Sequence, residues 1–311
     1  MTTTDPDPAP VLGQPHRICQ RQNETRFREM LAAYSYRYRV ASVYRRLRVT
    51  GTIALAALAP VFSVLWPQAA PTLGAVAALW LVLGRTLLDA AEQAHIDRAA
   101  RIQEYFDTHL FGLPWNPDLG REELVCEDIA TDARRGPRPD SDRYQDWYDD
   151  DGATPWPLDV LLCQYQNAAW GRRNHQAYVP WLAAAGAAVF LLGLALAITR
   201  HMSVSTYLVQ LLLPTSPALL DLALLARDHK RHATAKQRVE DDINNLLNRY
   251  LTGEQVTATD CRKIQDAIYR LRRTGPRIPH WFYRSQRQKD TRATAASIQQ
   301  LRDRIKAKTA N

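Results

Sequence analysis

VTGTIALAALAPVFSVLWPQAAPTLGAVAALWLVLG, Val49 to Gly84, runs for 36 positions without a charged residue or a histidine. About 20 apolar residues in helical form cross a bilayer core, so this run is long enough to cross twice. Pro67 and Pro71 in its "WPQAAP" centre stop one helix and let the next begin. Two more uncharged runs follow, Gln176–Thr199 and Met202–Leu220. A soluble fold rarely leaves so long a segment without a charged face. The reading is four spans at Val49–Trp66, Pro71–Leu88, Val179–Thr199 and Val204–Ala226. The expected fold class is therefore all-α: a polytopic membrane protein with two transmembrane hairpins and a cytoplasmic helical bundle.

Flanking cations set the expected orientation. Nine arginines precede the first span, Arg45, Arg46 and Arg48 directly beside it, while Arg172 and Arg173 precede the third. Arg227, Lys230 and Arg231 follow the fourth, and the two short outer turns hold only Arg200. By the positive-inside rule both termini and the central segment are cytoplasmic, with only the two turns outside. Contact with anionic headgroups accounts for much of the net charge of +8 without nucleic acid. An acidic, Pro-rich start before a first span near residue 50 argues against a signal peptide. The four cysteines fall in predicted cytoplasmic segments without CxxC spacing, as free thiols in a reducing compartment do.

Six segments follow: residues 1–16 a disordered tail, 17–48 an amphipathic helix, 49–88 hairpin 1, 89–178 a cytoplasmic insert, 179–226 hairpin 2, and 227–311 a helical C-terminal region. Phe27, Leu31, Tyr34, Tyr38 and Ala41 alternate at spacings of four and three, one face of a helix running into the first span. Ala99, Ile102, Phe106 and Leu110 continue the second span until Gly112 and Pro114 end it. The Pro-rich stretch from Gly112 to Pro157 reads as an irregular insert with one helix at Arg121–Arg135 and Trp115, Trp147 and Trp156 as packing anchors. Leu158 starts the next helix. The fourth span should extend to Leu251, with further helices at Thr257–Arg273 and after "GPRIPHWFYR".

There is no P-loop, dinucleotide fingerprint, HExxH or GxSxG, so no enzyme chemistry, cofactor or metal is expected. His229 and His232 read as a solvated basic face, and Asp107 with His109 as helix-end polarity. Ionisable and polar groups inside spans are functional candidates by default. Arg85, Asp89, Thr206, Gln210 and Asp221 are accordingly candidate gating or pore residues, with mutual pairing near the cytoplasmic boundary as the alternative. A pore requires oligomerisation, because four helices enclose no useful channel. Two arginine clusters could receive an anion: Arg134, Arg135 and Arg138 on a Gly/Pro loop, and Arg272, Arg273, Arg277, Arg284 and Arg287 interleaved with Trp281 and Tyr283. On the sequence alone, anionic lipid accounts for both slightly better.

The string "ICQRQN" from Ile18 returns as "LCQYQN" from Leu162. Its neighbours do not match, so a duplicated unit is not the favoured reading. Gln20 and Asn23, like Gln164 and Asn167, are expected to cross-link cytoplasmic helices and couple them to the hairpins.

These features, in order, resemble one family. "FDTHLFGLPWN" follows the second span, "DWY" stands at Asp146–Tyr148, and "CQYQN" with Trp170 and Arg172–Arg173 precedes the third. "IPHWFYRSQR" lies near the end. Together they resemble the SMODS-associating four-transmembrane effectors of bacterial anti-phage defence, over Ile18 to Arg287. The resemblance implies an effector of the bacterial inner membrane, activated by a cyclic di- or oligonucleotide from a partner nucleotidyltransferase. It would disrupt the bilayer as a homo-oligomer. An ion channel, transporter or scaffold gated by a protein partner is the alternative.

Overall fold

A computed structural model describes residues 18–65, 68, 70–136 and 139–309. The predicted tail, Pro67 and Arg138 lie outside the described residues, as do the side chains of Gln210 and Arg287. Every regular element among the described residues is helical. A short α1 (Ile18–Arg21) turns at residues 22–24 into α2 (Thr25–Leu65), which continues through Val49 without a break. α3 (Ala70–Leu83) passes through a wide π-turn at Gly84–Leu88 into α4 (Asp89–Phe111). Gly112, at φ 65°, caps α4 in the left-handed region that glycine adopts without steric cost.

α5 (Glu122–Ala133) is the one α-helix of the insert, and α6 (Leu158–Thr199) runs on from it. The turn at Arg200–Ser203 leads to α7 (Val204–Tyr207), a second π-turn at Leu208–Leu212, and α8 (Leu213–Leu251). α9 (Ala258–Thr274) opens on a reciprocal capping box between Thr257 and Asp260. α10 (His280–Thr309) begins inside the "HWFYR" string, where the sequence reading placed a loop. Two antiparallel pairings organise the chain: α2 with α4 and α6 with α8.

One apolar core joins these helices at one end. Phe27, Leu31 and Tyr34 of α2 pack on Ile102, Phe106 and Leu110 of α4, Leu161 and Leu162 of α6, and Ile243 of α8. Phe27 meets Phe106 edge to face at 5.9 Å. Of the expected tryptophan anchors, Trp115 and Trp147 pack against this core half-buried. Trp156 stays exposed and donates to the Phe111 carbonyl at 3.1 Å. Tyr144 and Tyr148 hold the buried positions of the insert instead. The Tyr148 hydroxyl finds a partner inside, donating to Asp107, whereas the Tyr144 hydroxyl is buried without one among the described residues.

The other halves of the helices are bare. Two of them, Gly74–Phe111 and Leu158–Thr199, are long and apolar enough to cross a membrane, and only 6% and 11% of their most apolar windows are buried. A soluble protein's core helix is mostly covered. Leu191, Leu192, Ile198, Val204, Leu213 and Leu220 all present their side chains outward. Contiguous apolar surface of this extent marks a membrane or protein contact.

Candidate functional site

Beneath the apolar halves lies a buried ionic network. The Asp107 carboxylate accepts from the Tyr148 hydroxyl at 2.7 Å, Gln265 at 3.0 Å and Arg272 at 2.7 Å. Glu104, one turn earlier, accepts from Arg262 and from Gln265 at 2.8 Å, and Arg272 lies 3.7 Å away. Burial pushes the Glu104 carboxyl up, while Arg262 and Arg272 pull it back. Arg272 itself is held above its ordinary value by Asp107 against the effect of burial. The sequence reading placed Arg272 among ligand-binding arginines; its guanidinium is instead committed to the core. Asp107 likewise faces inward, away from His109, which is bonded through Nδ1 to the Tyr105 carbonyl at 3.0 Å.

The rest of that arginine–aromatic cluster is not one surface. Arg273 pairs with Asp97 at 3.0 Å. Arg277 lies over the Tyr38 ring at 4.5 Å and donates to the Arg272 carbonyl at 2.7 Å. Because the aromatics sit on a helix, successive side chains diverge by about 100°. Trp281 therefore points outward, Phe282 is buried, and Tyr283 meets Trp170 at 4.6 Å. No continuous platform for stacked bases results. Arg284 lies on the exposed face, 3.0 Å from His280, and Arg134 and Arg135 are exposed beyond α5.

The repeated strings have a common target. Gln22 forms a reciprocal pair with the Tyr148 backbone, at 3.0 and 2.7 Å. Asn23 accepts from the Asp146 amide and donates to its carboxylate. Gln166 accepts from the Asp149 amide at 2.8 Å. Both strings thus grip the loop at residues 146–149. Of the four residues expected to cross-link helices, Gln164 does so among the described residues, donating to Cys261 and Gln265 of α9. Gln20 is exposed and Asn167 half-buried, with no hydrogen bond from either side chain among the described residues.

Among the candidate gating residues, Arg85 and Asp89 do not pair with each other. The π-turn moves them off the usual helical register, the Asp89 amide bonding back to the Gly84 carbonyl. Asp89 pairs with Arg48 of α2, and Arg85 reaches Asp221 of α8 at 3.3 Å. Thr206 shares a hydrogen bond with Ser203 at 2.7 Å in the cap of α7.

One cluster escaped the sequence reading. His229 and His232, expected on a solvated face, are buried, and His175 of α6 joins them. The Nδ1 atoms of His175 and His229 are 2.8 Å apart, and the His175 and His232 rings meet at 4.5 Å. Burial, with the neighbouring cations, pushes His175 down to about 2, His229 to about 4 and His232 to about 3. All three are neutral at pH 7. Among the described residues no group of three or more His, Cys, Asp or Glu is placed to hold a metal ion. The available signal was that His175, Tyr178 and His229 lie just before and just after hairpin 2, where the antiparallel helices bring them level.

Residues 16–301 match the family described as the SMODS-associating 4TM effector domain. A curated protein of Bacillus cereus (strain VD146), named a probable CBASS effector molecule, is 24% identical over 282 residues, covering 88% of this chain and 94% of its own length. No solved structure matches. A match of this extent settles the kinship: the chain belongs to the SMODS-associating four-transmembrane effector family.

Proposed function

We propose that the protein is a non-enzymatic membrane effector of anti-phage defence, with four spans, both termini cytoplasmic, and a cyclic di- or oligonucleotide as its trigger. The observation that carries this reading is the continuity of the helices. α6 carries Gln164 in the buried polar core at one end and the exposed Leu191, Leu192 and Ile198 at the other. α6 stays helical through Pro180, the one proline between these ends, so a rearrangement of the cytoplasmic body reaches the apolar half along a single helix. The cations Arg45, Arg46 and Arg48 on one side and Arg227, Lys230 and Arg231 on the other favour the inner leaflet for this body. Exposed Arg134, Arg135 and Arg284 serve the anionic headgroups there. A ligand shifts such a system only if it binds the active, oligomeric state more tightly than the resting one.

The test is release of an encapsulated dye from proteoliposomes of bacterial lipid, with and without a panel of cyclic di- and oligonucleotides. Release on addition of one member, and none in its absence, is the expected result. Release that ignores every nucleotide would point instead to a channel governed by another signal and would overturn the reading.

A further inference from the structure

Lys236 sits on α8 one turn beyond His232, and it is buried without a partner. No ion pair or hydrogen bond from its amine is found among the described residues. Its terminus rests against the α6 backbone at Gly171, where an added Cβ would lie 2.7 Å from Nζ. Glu240, the carboxylate nearest along α8, is already committed to Arg172 at 2.5 and 3.1 Å. Cations dominate the surroundings: Arg272 and Arg277 both act on Lys236, and Arg277 and His229 both feel Arg45, while Glu92, the carboxylate facing Arg45 and Arg277, is bonded to Arg48 at 2.8 Å. Several donors here lack acceptors. Arg45 Nη1, Arg277 Nε and His229 Nε2 are all buried with nothing to bond.

An isolated buried ammonium is costly, and proteins normally pair it. Here cations and donors converge from α2, α6, α8 and the strap at residues 275–279, and the two carboxylates that act on them, Glu92 and Glu240, are held by Arg48 and Arg172, so the donors named above stay unbonded. The strap lies close: a Cβ at Gly275 would overlap the His232 ring. Its continuation, Ile278 and Phe282, packs against Tyr178 and Leu182 of α6 and Leu222 and Ala226 of α8, at the foot of hairpin 2.

We infer that Lys236, Arg277 and Arg45, with the histidines at 175, 229 and 232, form a receptor for a phosphate or phosphodiester group, seated between hairpin 2 and the strap. Arg and Lys are the side chains that recognise such groups, and neutral histidines can donate to an anion without adding charge of their own. Occupancy would supply the missing acceptors and draw the strap onto the helices that carry the apolar halves. Assigning that phosphate to the messenger rests on the function proposed above; the anion site itself does not.

The experiment uses the full chain purified in dodecyl maltoside and follows melting by intrinsic fluorescence. Probes are sodium pyrophosphate, a panel of cyclic dinucleotides, and phosphatidylglycerol mixed into the micelle, each against chloride at matched ionic strength. Lys236→Met, Arg277→Gln and the exposed control Arg121→Gln are compared with wild type. At least one phosphate probe should raise the wild-type and Arg121→Gln melting temperatures. Lys236→Met should melt higher than wild type without a probe, because a buried unpaired charge is gone, and should not respond at the probe concentration that half-saturates wild type. Its apparent affinity should fall about ten- to hundredfold, the usual loss for a charged hydrogen bond. A response to pyrophosphate or phosphatidylglycerol alone, lost in Lys236→Met, supports the site and removes the messenger from it. A cyclic dinucleotide response that survives in both variants keeps the messenger and overturns the site. No response to any phosphate probe, or a Lys236→Met variant that melts lower and still responds, overturns it as well.

Discussion

Arg272→Met is the sharpest test of the core as described. The substitution keeps the volume of the stem and removes the guanidinium that holds Asp107 at 2.7 Å. Asp107 would keep Tyr148 and Gln265 but lose the one cation that pairs with it among the described residues, while Glu104 would retain Arg262. Removing one member of a buried pair costs about 3–5 kcal/mol, because the other charge stays desolvated. At about 2–4 °C per kcal/mol for a large domain, melting should fall by on the order of 10 °C. Tryptophan fluorescence in detergent reports it directly, since Trp115 and Trp147 pack on this core. The double variant Arg272→Met/Asp107→Leu takes away both charges and should recover to within about 2 kcal/mol of wild type, the remainder being the orphaned Tyr148 hydroxyl. The reasoning is refuted if Arg272→Met melts with the wild type, or if the double variant is no better than the single.

Other expectations follow from the same contacts. Gln22→Ala breaks both bonds to the Tyr148 backbone and should cost about 1–3 kcal/mol, read as a lower urea midpoint. Gly275→Ala should destabilise more than Gly171→Ala in thermal melts: the first meets the His232 ring and the Leu271 carbonyl, the second only the movable end of Lys236. Arg85→Cys with Asp221→Cys, in a Cys126→Ser background, should join through a short bifunctional thiol reagent and shift on a gel, the spacer standing in for the length of the arginine side chain; failure to join would separate the two hairpins. Lys236, facing Arg272, Arg277, Glu240, His175 and His232, is pushed down to about 8 from 10.5 by burial first and the arginines second. Below pH 8 the folded chain carries the whole cost of the charged amine. Between 8 and 10.5 only the unfolded chain keeps that proton, so wild type should gain on Lys236→Met by about 3 kcal/mol across the window.

The helices were legible where periodicity and punctuation agreed. The four-three spacing from Phe27 to Ala41, the left-handed Gly112, and the start at Leu158 all stand in the structure as the sequence indicates. Partnership was not legible, because it depends on residues distant in sequence. Arg272 looks like any exposed helical arginine until Asp107, 165 positions away, is brought beside it. His229 and His232 carry a polar signature that normally means solvent, and only the antiparallel return of α6 buries them. The "HWFYR" string misled for a local reason: after Pro279 it reads as loop, yet a proline is equally at home just ahead of a helix's first turn.

The loop at residues 146–151 is held from both ends of the molecule. Cys19, Gln22 and Asn23 bond it from α1 and the following turn, with the Cys19 amide on Asp150 at 2.8 Å. Arg302 and Lys306 of α10 bond Asp149 and Asp151. Sequence separations run from 123 to 155 residues. Such closures form late, because long loops must be ordered before the contact rewards it. During synthesis the N-terminal clamp can be set once the loop has emerged, but the second cannot until residue 306 leaves the ribosome. Assembly of the body thus has a built-in order, and a chain stalled before α10 has its long apolar helices but not its finished lock.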